Sequence, residues 1–484
     1  MKKTLLSCLS TFCAISFIAA QSFGPENTIN STTGANPYVI ASGQLNAGDT
    51  DIDIVIGTFT GGTVEWYEND LNNTGVFNQQ TNISSTLGAV GGLHIADLDP
   101  TNMNGMDVLA TSYTGDMLVW YQNDGSMAGG FGTATQIGGT LDGAGQVTTA
   151  DINNDTHLDV IVVAYGNDGS TDRVVWFAGN SDGTFGGEQT INAAAGSGPG
   201  SVGFRDIDED GDLDAVIGFT DLGTIEVYYN QYIESGTMTV SWVKDVNTVF
   251  SGGVYVFVAA FADYDDDFVD DMTNNNEIEI IKADDLEAGS NKVAWYKKNG
   301  GTGMWDETDI PISMANAGIV VASDINQDGF TDIVVTNGGT AGDDIVWFES
   351  TGAGTYAAEE MISNAQNQVF GITIADFDND GDNDIASVDY QNADLNWFSN
   401  RDNLLGVGEF EENVISIYPN PTTDKLNFNG LRTNFEVQIF DMLGKEVIIA
   451  QLGVDESLDV SKLQSGIYIL RLNEHGTTFK FVKE

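Results

Sequence analysis

The sequence predicts an all-β protein assembled from a repeated small sheet. A unit built around an aromatic pair recurs seven times, at spacings of 54, 56, 52, 67, 52 and 50 residues. Within each unit the apolar residues alternate or run in strings of four to six, as in Asp159-Val-Ile-Val-Val163 and Asp332-Ile-Val-Val335, which is the pattern of short strands. The chain also holds 57 Gly against 7 Pro, a balance that suits tight turns between strands, and helical periodicity is absent. At 484 residues it exceeds the roughly 250–300 that one core supports, so a repeat array is the expected solution.

Charge narrows the function classes early. Lys and Arg number 17 and Asp and Glu 72, giving a formal net charge of −55. A surface this acidic repels phosphate backbones and anionic headgroups, which argues against nucleic-acid and peripheral-membrane roles. Hydrophobic residues make up 41% of the chain, too many for a disordered acidic polymer.

In chain order, residues 1–20 read as a secretory signal peptide: Lys2 and Lys3, an apolar stretch from Leu5 to Ala19, then small residues. Both cysteines, Cys8 and Cys13, lie inside it, so the exported chain needs a staple other than disulfides. The mature chain holds no apolar run long enough to span a membrane. The repeats follow over residues 21–402, with aromatic pairs Trp66-Tyr67, Trp120-Tyr121, Trp176-Phe177, Tyr228-Tyr229, Trp295-Tyr296, Trp347-Phe348 and Trp397-Phe398. About four strands fit each unit, the size of a propeller blade, and the aromatic pairs suit packing between blades. A short phrase that follows an aromatic pair (Phe131 to Ile137, Phe185 to Ile191, Tyr356 to Ile362) also opens the mature chain, from Phe23 to Ile29, and is missing after the seventh pair. The sequence therefore predicts a seven-bladed β-propeller whose N-terminal strand completes the last blade and removes the free edges.

The chemistry is concentrated in the loops. Asp206, Asp208, Asp210, Asp212 and Asp214 surround Gly211; Asp376, Asp378, Asp380, Asp382 and Asp384 surround Gly381; Asp324, Asn326, Asp328, Phe330 and Asp332 surround Gly329. Oxygen side chains at positions 1, 3, 5 and 9, a backbone carbonyl at 7 and Gly at 6 form a ligand series for Ca²⁺, which takes six to eight oxygens. Because position 7 offers only its carbonyl, Asp212, Phe330, Asp382 and His157 are all acceptable there. Asp151, Asn153, Asp155, His157 and Asp159 keep the ligands but put Thr156 in the Gly place, predicting a weaker site. Asp263, Asp265 and Asp267 begin a further copy that an insertion interrupts, leaving Asp271 and Glu279 as rival closing ligands. Asp97, Asp99 and Asp107 are spaced two residues too widely, and the first copy, near Asn46 and Asp53, lacks its first acid. Several structural calcium ions are thus expected as blade staples.

These units resemble FG-GAP/VCBS repeats, the blades of integrin α-chain propellers and of many secreted bacterial proteins. The resemblance rests on the Phe-Gly phrases, the Asp-x-Asp-x-Asp-Gly-x-x-Asp loops and the Trp-[Tyr/Phe] pairs, and it implies the propeller fold and calcium, with relatives among adhesins, lectins and polysaccharide lyases. Residues 403–413 read as a linker. Residues 414–484 form a separate small β-sandwich of short strands that resembles the type A C-terminal sorting domain of the type IX secretion system of Bacteroidetes. The matching residues are Tyr418-Pro419-Asn420-Pro421, Asp441 with Leu443-Gly444, Leu463 with Gly466-Ile467-Tyr468, and Lys480 and Lys483 near the end. This resemblance implies that the type IX machinery is a partner and that the product is secreted or attached to the outer-membrane surface.

Two functions fit. One is a secreted or cell-surface binding and adhesion protein that recognises glycan or another macromolecule; the other is a polysaccharide lyase or hydrolase on the same scaffold. The sequence offers no catalytic set: of the histidines, His94 lies on a strand, His157 in an acidic loop and His475 in the C-terminal module. No Ser/His/Asp order, phosphate loop or zinc set is present. The stretched fifth unit, with its insertion from Asp265 to Glu279 and the charged loop Lys282–Lys292, is the expected place for a binding loop.

Overall fold

The computed structural model describes residues 23–484 except 47–49, 70–75, 101–104, 126–129, 167–171, 195, 234, 237–238, 253–255, 263–278, 285–291, 300–301, 315–316, 339–344, 353, 401–415, 430–434, 442–444, 453–456 and 473–477. The signal segment, the proposed linker, His475, most of the fifth-unit insertion and Asp263, Asp265, Asp267 and Asp271 lie outside the described residues. The chain divides into two compact units, 1–402 and 403–484.

Among the described residues the first unit is all strand and turn. It contains seven small antiparallel sheets, taken here in chain order. Sheet 1 comprises Pro37–Gly43, Asp53–Thr58, Val64–Asn69 and Phe77–Gln79; sheet 2 comprises Val90–Ala96, Asp107–Ser112, Met117–Tyr121 and Thr135–Ile137. Sheet 3 runs Ala144–Ala150, Asp159–Ala164, Arg173–Phe177 and Gln189–Ala193; sheet 4 runs Pro199–Arg205, Asp214–Phe219, Thr224–Asn230 and Trp242–Lys244, with Phe250–Ser251 added. Sheet 5 is formed by Val256–Ala262, Glu279–Asp284, Lys292–Lys298 and Trp305–Ile310, so Lys282 and Lys292 lie on paired strands and not in the loop that their charge suggests; sheet 6 is formed by Ala317–Ser323, Asp332–Asn337, Ile345–Phe348 and Glu360–Ser363. Sheet 7 takes Val369–Ala375, Asp384–Asp389 and Asp394–Phe398 from the end of the unit and Asn27–Asn30 from its beginning. The opening phrase docks as its internal counterparts do: Gly24 N–H donates to the Ser399 carbonyl at 2.7 Å, as Gly186 N–H does to Ala178.

Burial explains the apolar strings. All six residues of Asp53–Thr58, Asp159–Ala164 and Asp332–Asn337 are buried, because each second strand is covered on both faces by neighbouring sheets. The aromatic residues seal those seams. Phe131 of the second repeat meets Trp66 of the first edge-on at 5.9 Å, Phe185 meets Trp120 at 6.0 Å, and Phe23 meets Trp347 at 6.3 Å. The pairs are therefore packing residues, as their constant phase suggested. The fourth pair needs a shift of one residue: Val227 faces Val216 as Trp66 faces Val55, so Tyr228 corresponds to Tyr67, and the fourth repeat has Val in the Trp position.

The second unit contains a sheet of Ser416–Tyr418, Lys425–Asn429 and Leu458–Asp459 and another of Glu446–Leu452, Phe435–Asp441, Gly466–Leu472 and Thr478–Lys483. Leu426 and Leu458 of the first share one core with Val437, Leu470 and Phe481 of the second. The prolyl bonds Tyr418-Pro419 and Asn420-Pro421 are both cis.

Candidate metal loops

Each acidic loop joins the first strand of a sheet to the second. In the loops of sheets 3, 4, 6 and 7 the same backbone bonds recur. The N–H at position 6 donates to the first acid: Thr156 to Asp151 at 2.8 Å, Gly211 to Asp206 at 3.0 Å, Gly329 to Asp324 at 3.0 Å and Gly381 to Asp376 at 3.0 Å. The N–H at position 7 donates to the acid at position 5, from His157 to Asp155, Asp212 to Asp210, Phe330 to Asp328 and Asp382 to Asp380, at 2.9–3.0 Å. The turn is left-handed at positions 4 and 6, for example φ 64° at Glu209 and 97° at Gly211. Thr156 adopts the same geometry at φ 71°, a costly state for a β-branched residue. The substitution that the sequence marks as a defect thus retains the loop shape at the expense of strain.

The closing acid has a duty that its spacing alone did not disclose. Both oxygens of Asp214 accept backbone N–H groups, from Ile207 at 2.9 Å and Asn230 at 2.8 Å. Asp159, Asp332 and Asp384 repeat this bridge between the loop and the end of the third strand. So do Asp53 and Asp107, whose loops lack the full motif. The ninth position is therefore a backbone staple in every one of these sheets, with or without a ligand series. In sheet 5 the pairing of Ala262 with Glu279 gives Glu279 the register that Asp159 has opposite Ala150.

Among the described residues, carboxylates converge in three places: Asp206, Asp208 and Asp210; Asp376, Asp378 and Asp384; and Asp97, Asp99 and Asp107, with one oxygen from each within 4.8 Å of the others. Such groups could hold a metal. Two carboxylates at ~4 Å repel by about 4 kcal/mol at an effective dielectric of 20. Asp206 Oδ1, Asp210 Oδ2, Asp212 Oδ1 and Asp378 Oδ1 are buried and meet no hydrogen-bond donor among the described residues. Those of Asp206, Asp210 and Asp378, members of the converging groups, fit a hard cation. Burial foremost pushes Asp214 up to about 7 and Asp384 up to about 8; their N–H partners oppose the rise, while Asp208 and Asp378 respectively add to it. The third cluster corrects the sequence reading. Counting residues set Asp107 too far from Asp97, but Ala96 pairs with Asp107, so the strand register returns the acid to the loop whatever the intervening length. That register was the missed signal.

Two histidines and a half-buried tyrosine each lie beside a polar partner. His94 Nε2 lies 3.0 Å from Thr149 Oγ1, and burial lowers its pKa to about 4. His157 Nδ1 lies 3.1 Å from Asp155. At the seam of sheets 4 and 5, Tyr229 donates to Asp245 at 2.7 Å, and Lys298 contacts both. The Tyr229 hydroxyl is pushed upward by burial and then by Asp245, the reverse of what a general base needs.

Family models match three stretches of the chain. Residues 104–162 and 324–387 match the FG-GAP-like repeat, each match reaching from one acidic loop into the next sheet's second strand. Residues 416–484 match the secretion system C-terminal sorting domain. The chain thus carries FG-GAP-like repeats and a type IX sorting tail. No curated protein matches it.

Proposed function

We propose that this chain is a secreted or cell-surface binding and adhesion protein, a calcium-stabilised seven-bladed propeller that recognises glycan or another macromolecule and is exported by type IX secretion. The sorting tail implies the type IX machinery as a partner and secretion or surface attachment as the destination. A signal peptide over residues 1–20 would deliver the chain to that machinery, with residues 21–402 as the cargo domain and 403–413 as the linker. Seven blades in a closed ring are supported by the seven sheets and by the strand that the N-terminus lends to the last of them. Ser42 and Thr373, 2.7 Å apart, add a contact between the first and seventh sheets.

The observation that carries the calcium reading is the shared hydrogen-bond pattern of four acidic loops together with the orphaned carboxylate oxygens in two of them, those of sheets 4 and 7. Asp206, Asp208 and Asp210, and Asp376, Asp378 and Asp384, would hold the ion in two of them, with Asp324, Asn326 and Asp328 and Asp151, Asn153 and Asp155 as the equivalents. A bound Ca²⁺ supplies positive charge and coordination that tie the loop oxygens together.

Affinity electrophoresis of the full mature chain, through gels containing a panel of polysaccharides with calcium or EDTA, tests the binding reading. Calcium-dependent retardation by one polymer is the expected result. Mobility unchanged by every polymer would remove glycan recognition.

A further inference from the structure

The strand ends opposite the acidic loops carry a feature that calcium binding does not use. Phe59, Tyr113, Tyr165 and Tyr390 each directly follow a second strand, while Tyr38 and Phe370 are the second residues of two first strands. The acidic loops follow first strands and precede second strands, so strand direction puts these six rings at the other end of their sheets. All six are half-buried. Five form a continuous band from sheet 7 to sheet 2: Tyr390 to Phe370 at 5.3 Å, Phe370 to Tyr38 at 5.4 Å, Tyr38 to Phe59 at 5.3 Å and Phe59 to Tyr113 at 5.9 Å. Tyr165 extends the surface toward sheet 4, where its hydroxyl donates to Asp221 at 2.9 Å.

The ring at the second residue of the first strand is not shared by every repeat, although the sequence also puts Phe257 there in sheet 5. At the second residue of the first strand, sheets 2, 3, 4 and 6 have Gly91, Gly145, Gly200 and Gly318 where sheets 1 and 7 have Tyr38 and Phe370. A Cβ at Gly91 would lie 2.7 Å from the Ala144 carbonyl, so close backbone contact replaces the ring there. Among the described residues the ring-to-ring contacts of the band run over sheets 7, 1 and 2. The charges acting on its edge are acidic: Asp142 and Asp221 both bear on Tyr113, whose pKa is raised, first by burial.

We propose that this band is a binding face for a polysaccharide made of uncharged or amino sugars. The proposal rests on the glycan reading above and assigns its site and ligand class. Aromatic rings offer their faces to the apolar C–H side of a pyranose, and an ammonium group gains from the same faces. The tyrosine hydroxyls and the Asp142 and Asp221 carboxylates accept hydrogen bonds from sugar hydroxyl or ammonium groups. The same carboxylates, on a chain of net charge −55, repel uronic-acid or sulfated polymers.

The test titrates the full mature chain, with calcium present, with glucosamine hexamer, cellohexaose and a galacturonate hexamer. Phe59→Ala, Tyr113→Ala and Asp221→Asn are compared with the unaltered protein, and their melting temperatures show that folding is retained. The expected result is binding of at least one of the first two oligosaccharides, a loss of tenfold or more in affinity in Phe59→Ala and Tyr113→Ala, and no binding of the galacturonate. Asp221→Asn should weaken the glucosamine oligomer more than cellohexaose. Undiminished binding in both aromatic variants would overturn this site while leaving glycan recognition standing elsewhere on the protein. Equal binding of the galacturonate would overturn the ligand class. Failure of the unaltered protein to bind any sugar, here and in the polysaccharide gels, would overturn the glycan reading itself.

Discussion

The side-chain amide of Asn69 donates to the backbone carbonyl of Phe377 at 2.7 Å, joining the third strand of the first sheet to the acidic loop of the seventh. Asn123 makes the same bond to Leu45, Asn230 to Ile152 and Asn400 to Ile325, each reaching the preceding sheet. Lys298 holds the corresponding place in the fifth repeat, three residues after its Trp, and contacts Tyr229 and Asp245 of sheet 4 instead. Because Asn69 spans the first and last repeats, Asn69→Leu should be disproportionately costly. Leaving the buried carbonyl unpaired costs about 1–3 kcal/mol. Urea denaturation should show a lower midpoint for Asn69→Leu, and an unchanged midpoint would mean that this bond does not help to hold the two repeats together.

Calcium and the staple acids can be separated. EDTA should lower the melting temperature of the mature protein, with added calcium restoring it, and Asp210→Ala or Asp380→Ala should reproduce part of the loss. A melting curve indifferent to EDTA would remove calcium as the substitute for disulfides.

Asp53 offers the control, since it bridges Leu45 and Asn69 in a loop without the ligand series. Asp53→Ala strands two buried N–H groups, at about 1–3 kcal/mol each. Its loss should be the same with and without EDTA, whereas Asp384→Ala should lose more in calcium than in EDTA. Chemical denaturation in the two buffers distinguishes them.

Thr156 sits at φ 71°, where its repeat counterparts are glycine. Left-handed geometry costs a residue with a Cβ roughly 1–2 kcal/mol, and part of that gain is returned through the greater freedom of an unfolded glycine. Thr156→Gly should therefore raise stability by up to about 1 kcal/mol and tighten calcium binding at Asp151, Asn153 and Asp155. A lower urea midpoint would show that the loop does not strain the threonine.

His94 gives a pH signature. Its folded pKa of about 4 lies below the ordinary 6.5 because burial disfavours the charged ring. The unfolded chain therefore binds more protons between those values, so this group makes stability fall as pH drops from 6.5 toward 4 and contributes no further change below that. His94→Gln should flatten this part of the melting profile. Identical profiles for the two proteins would place the ring in a wetter setting.

Much of this protein was legible in the sequence. The period-two and continuous apolar runs, the glycine-rich turns and the recurring aromatic positions specify short buried strands, since side-chain alternation and burial are local consequences of the pleat. The 1-3-5-6 order of Asp206, Asp208, Asp210 and Gly211 likewise encodes its own turn, because the bonds that shape it join residues no more than five apart.

Relations across the chain were decided by tertiary structure. Spacing excluded Asp107 from its cluster because residue counting cannot see that strand register, set by pairing with Ala96, absorbs a longer loop. The second duty of the closing aspartates depends on N–H groups up to 18 residues away, as in Asp332 and Ser350, and the Asn69 clip on a residue 308 away. The aromatic band was not legible at all. Its rings come from positions as distant as Tyr38 and Tyr390, and nothing in either neighbourhood announces the other. Local rules fixed the strands and turns; the meeting of distant side chains followed only when the sheets packed against one another.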